Sequence, residues 1–315
     1  MPAQIFPYIR GLLQGHNITT TFLQQQFWHS HDQLTRILSK SFPWETLIVW
    51  VIHRLFGILS GGYLLIDDTV IAKPYAKKLE GASFAYSSCL KQVVYGYHVV
   101  VVCWTNETIT IPLCWKIWRQ GGPTKVTLAK QLLVKINDDW KINPEYVLFD
   151  SWYAATKLLN QIHRFHWLFI CRIKKNRVIN CCPINQDLIK DSDSLIGPIT
   201  GLFKGRILRH EGKYFLSNLV EITNEVMITT YGMRWKIEEV FRFLKNQVHL
   251  QECQARSRAA QQTHLGCCIL AYLLVLKEQQ TQTPDSTLYA IRHNWLLNRR
   301  LGNNRIRHYV KVLTA

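Results

Sequence analysis

The chain has 315 residues, of which 48% are hydrophobic and 19% charged, so it is a packed globular protein and not a disordered basic tail. It carries a formal net charge of +17, from 38 Lys and Arg against 21 Asp and Glu. Such a surplus attracts polyanions and favours a nucleic-acid partner, with a ribosome-associated or membrane-surface protein as the alternatives. The N-terminus lacks the basic and apolar regions of a secretion signal.

The cysteines and the apolar stretches indicate a buried core. The nine cysteines fall mostly in apolar runs without a Cys-x-x-Cys pair, which predicts core thiols in a reducing cytoplasm. Residues 44–66 are apolar but interrupted by polar residues, and residues 265–276 are too short to cross a bilayer. Both stretches are interpreted as buried elements, and no membrane partner is expected.

The first part of the chain, residues 1–58, is predicted to be a small helical domain. One short helix is capped by Asn17 or Thr19, and a second runs from Gln33 to Ser39. The pair is either a helix-turn-helix that binds DNA or a helical pair that only packs on the next domain.

The central part, residues 59–285, has the alternation of a mixed α/β sheet. A buried strand at residues 63–66 ends in Asp67-Asp68, and another at residues 146–149 ends in Asp150. Further elements are predicted as strands at 93–104, 108–118 and 167–173, and as helices at 124–137 and 152–165. Residues 174–223 have the short strands and turns of a β-rich insertion.

A long helix is predicted from about Asn224 to Asn246. At about 100° per residue, its side chains Tyr231, Arg234, Glu238 and Lys245 share one face, with Arg242 close beside them. A solvated face with an Arg234–Glu238 ion pair is the alternative interpretation.

Two segments follow this helix. A second, apolar helix is predicted at about 259–277. The final residues, 286–315, form a basic segment without any acidic residue, which suits DNA contact or assembly.

Three acidic residues suit phosphodiester chemistry. Such reactions need neutralisation of charge on the attacking and leaving oxygens, which two Mg²⁺ ions roughly 4 Å apart supply. These hard cations require carboxylate oxygens from separate elements, and Asp68, Asp150 and Glu238 meet that requirement. Each Asp alone also has an ordinary explanation, because Asp is common wherever a strand enters a turn.

The sequence resembles insertion-sequence DDE transposases. Residues 231–245, Y-G-M-R-W-K-I-E-E-V-F-R-F-L-K, keep every spacing of the family's Tyr-x2-Arg-x3-Glu-x6-Lys signature. Upstream, L-I-D-D-T at residues 65–69 and V-L-F-D-S-W-Y at residues 147–153 resemble its first and second Asp motifs. The resemblance implies a ribonuclease H-like catalytic domain with strands inserted ahead of the helix that carries the Glu.

The resemblance also implies roles for individual residues. Asp68, Asp150 and Glu238 would be the catalytic ligands of two Mg²⁺ ions, for which Mn²⁺ could substitute. The DNA-binding residues would be Tyr231, Arg234, Arg242 and Lys245, holding phosphates of the transposon end. Asp67 remains the alternative to Asp68, which is favoured because the family's first Asp typically precedes a small hydroxylated residue such as Thr69.

The implied activity is metal-dependent cleavage at transposon ends and strand transfer into target DNA. The expected partners are inverted-repeat ends, target DNA and a second copy of the chain, in the cytoplasm of a prokaryote at its nucleoid. If cleavage passes through a DNA hairpin, a flipped base would stack on an aromatic side chain, with Trp167, Phe203 and Tyr214 as candidates. The alternatives are a DNA-binding protein that no longer transposes and another ribonuclease H-like nuclease.

Overall fold

The computed structural model describes residues 5–27, 30–76, 78–87, 91–179, 182–184, 189–199 and 201–314. Its helices are α1 Phe6–Gln14, α2 Thr20–Phe27, α3 His31–Ser39, α4 Trp44–Phe56, α5 Lys125–Lys135, α6 Thr156–Arg164, α7 Asn224–Gly232, α8 Trp235–Gln247, α9 Arg258–Thr281, α10 Leu288–Leu297 and α11 Arg299–Thr314. A π-helical turn, Ile136–Trp140, extends α5. Its strands are β1 Tyr63–Ala72, β2 Ser83–Ser87, β3 Gln92–Thr105, β4 Thr110–Trp118, β5 Tyr146–Phe149, β6 Phe169–Ile173, β7 Val178–Ile179, β8 Cys182–Pro183, β9 Ser194–Pro198, β10 Lys204–His210 and β11 Lys213–Ser217.

The chain divides into two compact units. The sheet unit contains Ser60–Thr69 and Val99–Glu238, and the helical unit contains Met1–Leu59, Val70–His98 and Glu239–Ala315. Both chain ends therefore belong to the helical unit, whereas the sequence predicted boundaries at 58 and 285. Within the helical unit, α1, α3 and α4 pack against α9, and a helical domain at residues 1–58 stays a prediction.

The sheet unit has the predicted mixed α/β architecture. Its strands follow the order β3-β1-β5-β6-β11-β10-β9, with β4 paired to β3. The central strands β1, β5 and β6 are parallel, and β6, β11, β10 and β9 are antiparallel. Strands β9 to β11 lie within the predicted β-rich insertion at 174–223, and they extend the main sheet, while β7 and β8 form a separate pair.

Strand β1 is longer than the sequence indicated. It continues through Asp67 and Asp68 to Ala72, so the prediction that these carboxylates end the strand was wrong. Only Tyr63–Ile66 pair with β5, but β1 also neighbours β3, and the β-branched run Thr69-Val70-Ile71 favours continued strand geometry.

The long helix predicted from 224 to 246 is two helices. Met233 and Arg234 form a turn between α7 and α8, in which backbone N–H groups bond to the carbonyl three residues earlier, as in Arg234 to Tyr231 at 3.0 Å. This tighter turn follows Gly232, which has low helix propensity. The predicted single face is therefore divided between two helices.

The helical unit is centred on α9. This helix is long and apolar enough to cross a membrane by length and composition, but 89% of its apolar window is buried inside the protein, as expected of a core helix. Among the described cysteines, Cys182 is exposed and the others are buried, which agrees with their prediction as core thiols. Cys89 and Cys181 lie outside the described residues.

Helix α9 contributes a buried polar network and a close packing contact. Nδ1 of His264 lies 2.8 Å from the Tyr8 hydroxyl, and its Nε2 lies 3.1 Å from the carbonyl oxygen of His249. Two residues after His264, Gly266 lies against the ring of Trp44, and a Cβ at Gly266 would lie only 2.3 Å from that ring. This position therefore has room only for glycine.

Candidate active site

Strand register brings two carboxylates to neighbouring positions of the sheet. Ile66 pairs with Phe149 in the parallel ladder of β1 and β5, so Asp67 and Asp150 are the residues that directly follow the last pair of the ladder. Side chains at matching positions of adjacent parallel strands point to the same face. The register thus associates Asp150 with Asp67, one residue before the Asp68 favoured by the sequence.

Arg234 connects Asp67 to the predicted catalytic Glu. Its Nη1 donates to Oδ2 of Asp67 at 2.9 Å, and its Nη2 donates to Oε1 of Glu238 at 2.7 Å. All three side chains are largely shielded from solvent. The turn between α7 and α8 therefore positions a cation between an Asp of the sheet and the Glu of α8.

Asp68 has a different set of partners. Its Oδ2 accepts a 2.6 Å hydrogen bond from Nζ of Lys125 at the start of α5, and its Oδ1 accepts from the Tyr153 hydroxyl at 2.9 Å. Its backbone N–H donates to Oδ1 of Asp67 at 2.8 Å. Both oxygens of Asp68 are thus occupied by protein donors.

The pKa values of Asp67 and Asp150 are raised by their surroundings. Burial raises the pKa of Asp67 to about 7, with Arg234 opposing the shift and Asp150 and Asp68 adding to it. Burial also raises the pKa of Asp150, against the hydrogen bond from the backbone N–H of Trp152 and the charge of Arg234. Burial and the repulsion between neighbouring carboxylates both disfavour their charged forms, so additional positive charge at the site would stabilise those forms.

The donor chemistry of the site fits a hard divalent cation, because its acidic ligands are all carboxylate oxygens. Within the described ranges, however, no group of three or more His, Cys, Asp or Glu side chains is arranged to hold a metal ion. Arg234 and Lys125 neutralise the carboxylates instead. A metal-bound state would require these ion pairs to rearrange.

The predicted DNA-binding residues have unequal environments. The Tyr231 ring packs edge-on against Phe215 at 5.0 Å, and its buried hydroxyl has no hydrogen-bond partner among the described residues. Arg234 is bound to carboxylates, as described above. Arg242 is exposed and Lys245 half-buried, on the part of α8 that belongs to the helical unit.

The aromatic candidates for base stacking differ from the expectation. Trp167 and Tyr214 are buried, and Phe203 stacks on His163 at 4.4 Å. Sequence reasoning missed Trp152, which is 60% exposed and lies two residues after Asp150. The signal was present in the sequence as an aromatic residue just beyond a strand-end Asp.

Trp152 borders a cavity in the sheet unit. The cavity has a volume of about 440 Å³, and its lining includes Ser151, Lys174, Asn176 and Arg177. Nζ of Lys174 lies 5.8 Å from the centre of the Trp152 ring. An aromatic face and cationic side chains therefore meet beside Asp150.

Comparison with known proteins gives one family. The family model described as transposase DDE domain matches residues 61–274. Comparison with curated protein sequences gives no match.

The chain is also similar to solved structures. One is the cryo-EM structure of a piggyBac transposase synaptic complex with hairpin DNA, at 13% identity and a TM-score of 0.59, covering 98% of this chain and 72% of that chain. This likeness shows the fold, a ribonuclease H-like mixed sheet. The alignment with the Drosophila P element transposase strand transfer complex covers 96% of this chain and 90% of that chain at 10% identity. Its TM-score of 0.29 is too low to show a common fold. Because the family model covers most of its length, this chain belongs to the DDE transposases, enzymes that cut DNA and transfer strands and that generally use divalent metal ions.

Proposed function

We propose that this transposase cleaves DNA at the ends of its own element and joins them to target DNA with the carboxylates of Asp67, Asp150 and Glu238. The observation that carries the proposal is the Arg234 bridge between Asp67 and Glu238, together with the pairing of Ile66 with Phe149, after which Asp67 and Asp150 are the next residues. The three residues come from β1, the end of β5 and α8, as a convergent carboxylate site requires.

Asp67 is preferred here to Asp68 as the first catalytic carboxylate. Asp67 and Asp150 directly follow the paired residues Ile66 and Phe149, and the guanidinium of Arg234 connects Asp67 to Glu238. Asp68 is held by Lys125 and Tyr153, and we assign it a positioning role that fixes the start of α5 against β1.

The proposed cofactor is Mg²⁺, two ions per site, with Mn²⁺ as a substitute. When bound, such ions neutralise charge on the attacking and leaving oxygens of the phosphodiester. Arg234 would then be free to hold a DNA phosphate in its planar fork, because the ions would take over its carboxylate partners.

The test is cleavage of DNA carrying the element's ends, with Mg²⁺ or Mn²⁺, by purified wild-type protein and Asp150→Ala. We expect cleavage by the wild type and none by the variant, with DNA binding unchanged. Asp139→Ala is the matched control, because Asp139 is an exposed carboxylate paired with Lys135. Full cleavage by Asp150→Ala would overturn the assignment, and cleavage of branched DNA without the end sequences would indicate another nuclease.

We further propose that two copies of the chain hold inverted-repeat ends together, since both ends of an element must be cut and joined. The solved piggyBac relative is a synaptic complex, which supports this arrangement by analogy of fold. The proposed location is the nucleoid in the cytoplasm of a prokaryote.

The cavity at Trp152 supports a role in handling an unpaired base. We propose that a base displaced from the transposon end stacks on Trp152 while Lys174 contacts its phosphate. Stacking on an aromatic ring contributes about 1–3 kcal/mol per base. The similar piggyBac transposase structure contains hairpin DNA, which supports this proposal.

The stacking proposal is tested with 2-aminopurine at the terminal positions of the end DNA. Trp152→Phe should keep the fluorescence change on binding, and Trp152→Ala should lose it and slow cleavage by roughly tenfold. Trp50→Ala is the matched control, because Trp50 is a partly exposed tryptophan of the helical unit. An unchanged signal in Trp152→Ala would contradict the proposal.

A further inference from the structure

The two ends of the chain form a region of the helical unit without acidic residues. The sequence contains no Asp or Glu in residues 1–31 or in residues 286–315. These segments include α1, α2, α10 and α11, and α1 packs against each of the other three. Segments from opposite ends of the sequence thus pack together, and their own charged side chains are all cationic.

A buried glutamine holds the two ends together. Nε2 of Gln14 donates to the backbone carbonyls of Trp295 and Arg299, at 3.2 and 3.0 Å, and its Oε1 accepts from Nε of Arg10 at 3.2 Å. Gln14 is completely buried. The guanidinium of Arg10 is therefore fixed relative to the start of α11.

Helix α11 presents a row of exposed cations. Arg300, Arg307 and Lys311 are exposed and fall within about 40° of arc, with Arg300 and Arg307 about 10 Å apart along the helix axis. Among the described residues, neither Arg300 nor Arg307 has an acidic partner. This row lies on the side of α11 opposite its buried residues Ile306, Tyr309 and Leu313.

The arrangement is electrostatically unfavourable without an anion. Arg299 and Arg300 stand in the first turn of α11, where the helix dipole is already positive. The pKa of Arg10 is lowered by burial and then by the charges of Arg307 and Arg299. Like charges gathered from both ends of the chain are stabilised when a polyanion covers them.

Arg305 provides an internal contrast on the same helix. Its Nε lies 3.0 Å from Oε1 of the buried Glu278, which also accepts a hydrogen bond from the Tyr309 hydroxyl at 2.7 Å. Arg305 thus has a structural partner inside the protein. Arg307 and Arg300, which lie two and five residues from Arg305, are exposed to solvent.

We propose that Arg300, Arg307 and Lys311, with Arg10 beside them, bind the phosphate backbone of double-stranded DNA without reading its sequence. This surface belongs to the helical unit, whereas the proposed catalytic carboxylates belong to the sheet unit. The inference rests on DNA being the substrate of this transposase, and it does not depend on which carboxylates catalyse the reaction.

The test is binding of a labelled duplex in EDTA, measured by fluorescence anisotropy over a range of salt concentrations. Arg300→Gln/Arg307→Gln should bind about tenfold more weakly, and the slope of log K against log salt should fall by about 2, on duplexes with or without the end sequence. The control Lys204→Gln/Lys213→Gln removes the same charge from exposed lysines of β10 and β11. It should lower the slope less.

Two further measurements make the result decisive. Arg300→Gln/Arg307→Gln should melt within about 1 °C of the wild type, whereas Arg305→Gln should melt lower because it leaves Glu278 buried without its cation. An unchanged salt slope, or a loss no larger than that of the lysine control, would overturn the proposal. Because binding is measured without metal, an inactive catalytic site would leave this outcome unaffected.

Discussion

The sheet unit and the helical unit differ in how their buried polar groups are charged and paired. In the sheet unit, the shielded carboxylates of Asp67, Asp150 and Glu238 share one cation, Arg234, which forms ion pairs with Asp67 and Glu238. In the helical unit, His264 is buried against the Tyr8 hydroxyl and backbone carbonyls, and burial, followed by the positive charge of Lys73, lowers its pKa to about 3. The sheet unit therefore has more carboxylates than paired cations, which suits a cationic ligand, whereas the helical unit keeps His264 neutral and pairs its buried Glu278 with Arg305. Substitutions should accordingly impair chemistry in the first and stability in the second.

The largest effect should follow from neutralising the first carboxylate. Asp67→Asn should reduce the rate of end cleavage by roughly 10³-fold or more, because it removes a ligand for transition-state charge. Asp68→Asn should retain more activity, since its partners Lys125 and Tyr153 serve positioning. Single-turnover cleavage with saturating DNA measures both. If Asp68→Asn is inactive and Asp67→Asn is active, the first ligand is Asp68.

A packing change should separate stability from chemistry. Gly266→Ala should lower the free energy of unfolding by about 1–3 kcal/mol, because the added methyl group would overlap the ring of Trp44. Gly232→Ala is the matched control, since its Cβ would meet nothing within 4 Å, and Ala is the better helix former by about 0.5–1 kcal/mol. Urea denaturation should show opposite signs for the two variants. Equal changes in the free energy of unfolding for the two variants would contradict the prediction that Gly266 is held against Trp44 by close packing.

The pH dependence of stability should show that His264 is neutral in the folded protein. Because the folded pKa of His264, about 3, lies below its unfolded value, the unfolded chain binds more protons between these values. The stabilising contribution of His264 is complete above about pH 6.5 and is lost as the pH falls towards 3, at up to about 1.4 kcal/mol per pH unit. His264→Gln should be less stable at pH 7, and its difference from the wild type should shrink by pH 5. A constant difference over this range would contradict a neutral His264.

The sequence predicted the elements that apolar pattern alone determines. The strands of the sheet, the hairpin of β3 and β4 and the buried α9 follow directly from runs of apolar and β-branched residues. Thr124 and Thr223 cap α5 and α7 through hydrogen bonds from the backbone N–H three residues on. Local chemistry was sufficient for these features.

Long-range pairing determined what the sequence could not indicate. The continuation of β1 to Ala72 depends on its neighbour β3, and the preference for Asp67 depends on a register set by Ile66 and Phe149. The break at Met233 arises where helical hydrogen bonding tightens after Gly232. Trp152 could be noticed in the sequence, but its exposure beside a cavity could not.

The two consecutive aspartates of β1, Asp67 and Asp68, bear on how a shift in the pairing of β1 with β5 would affect the site. The preceding Leu64-Leu65-Ile66 run is apolar on both faces, so hydrophobicity alone would permit β1 to slide by one residue against β5. After such a slide, Asp68 would stand beside Asp150 and opposite Arg234. The ion pair between Lys125 and Asp68 opposes this shift, because the shift would separate the two side chains. A variant without Asp67 would still have Asp68 as the next residue of β1. Asp68 could take the place of Asp67 only if its ion pair with Lys125 broke.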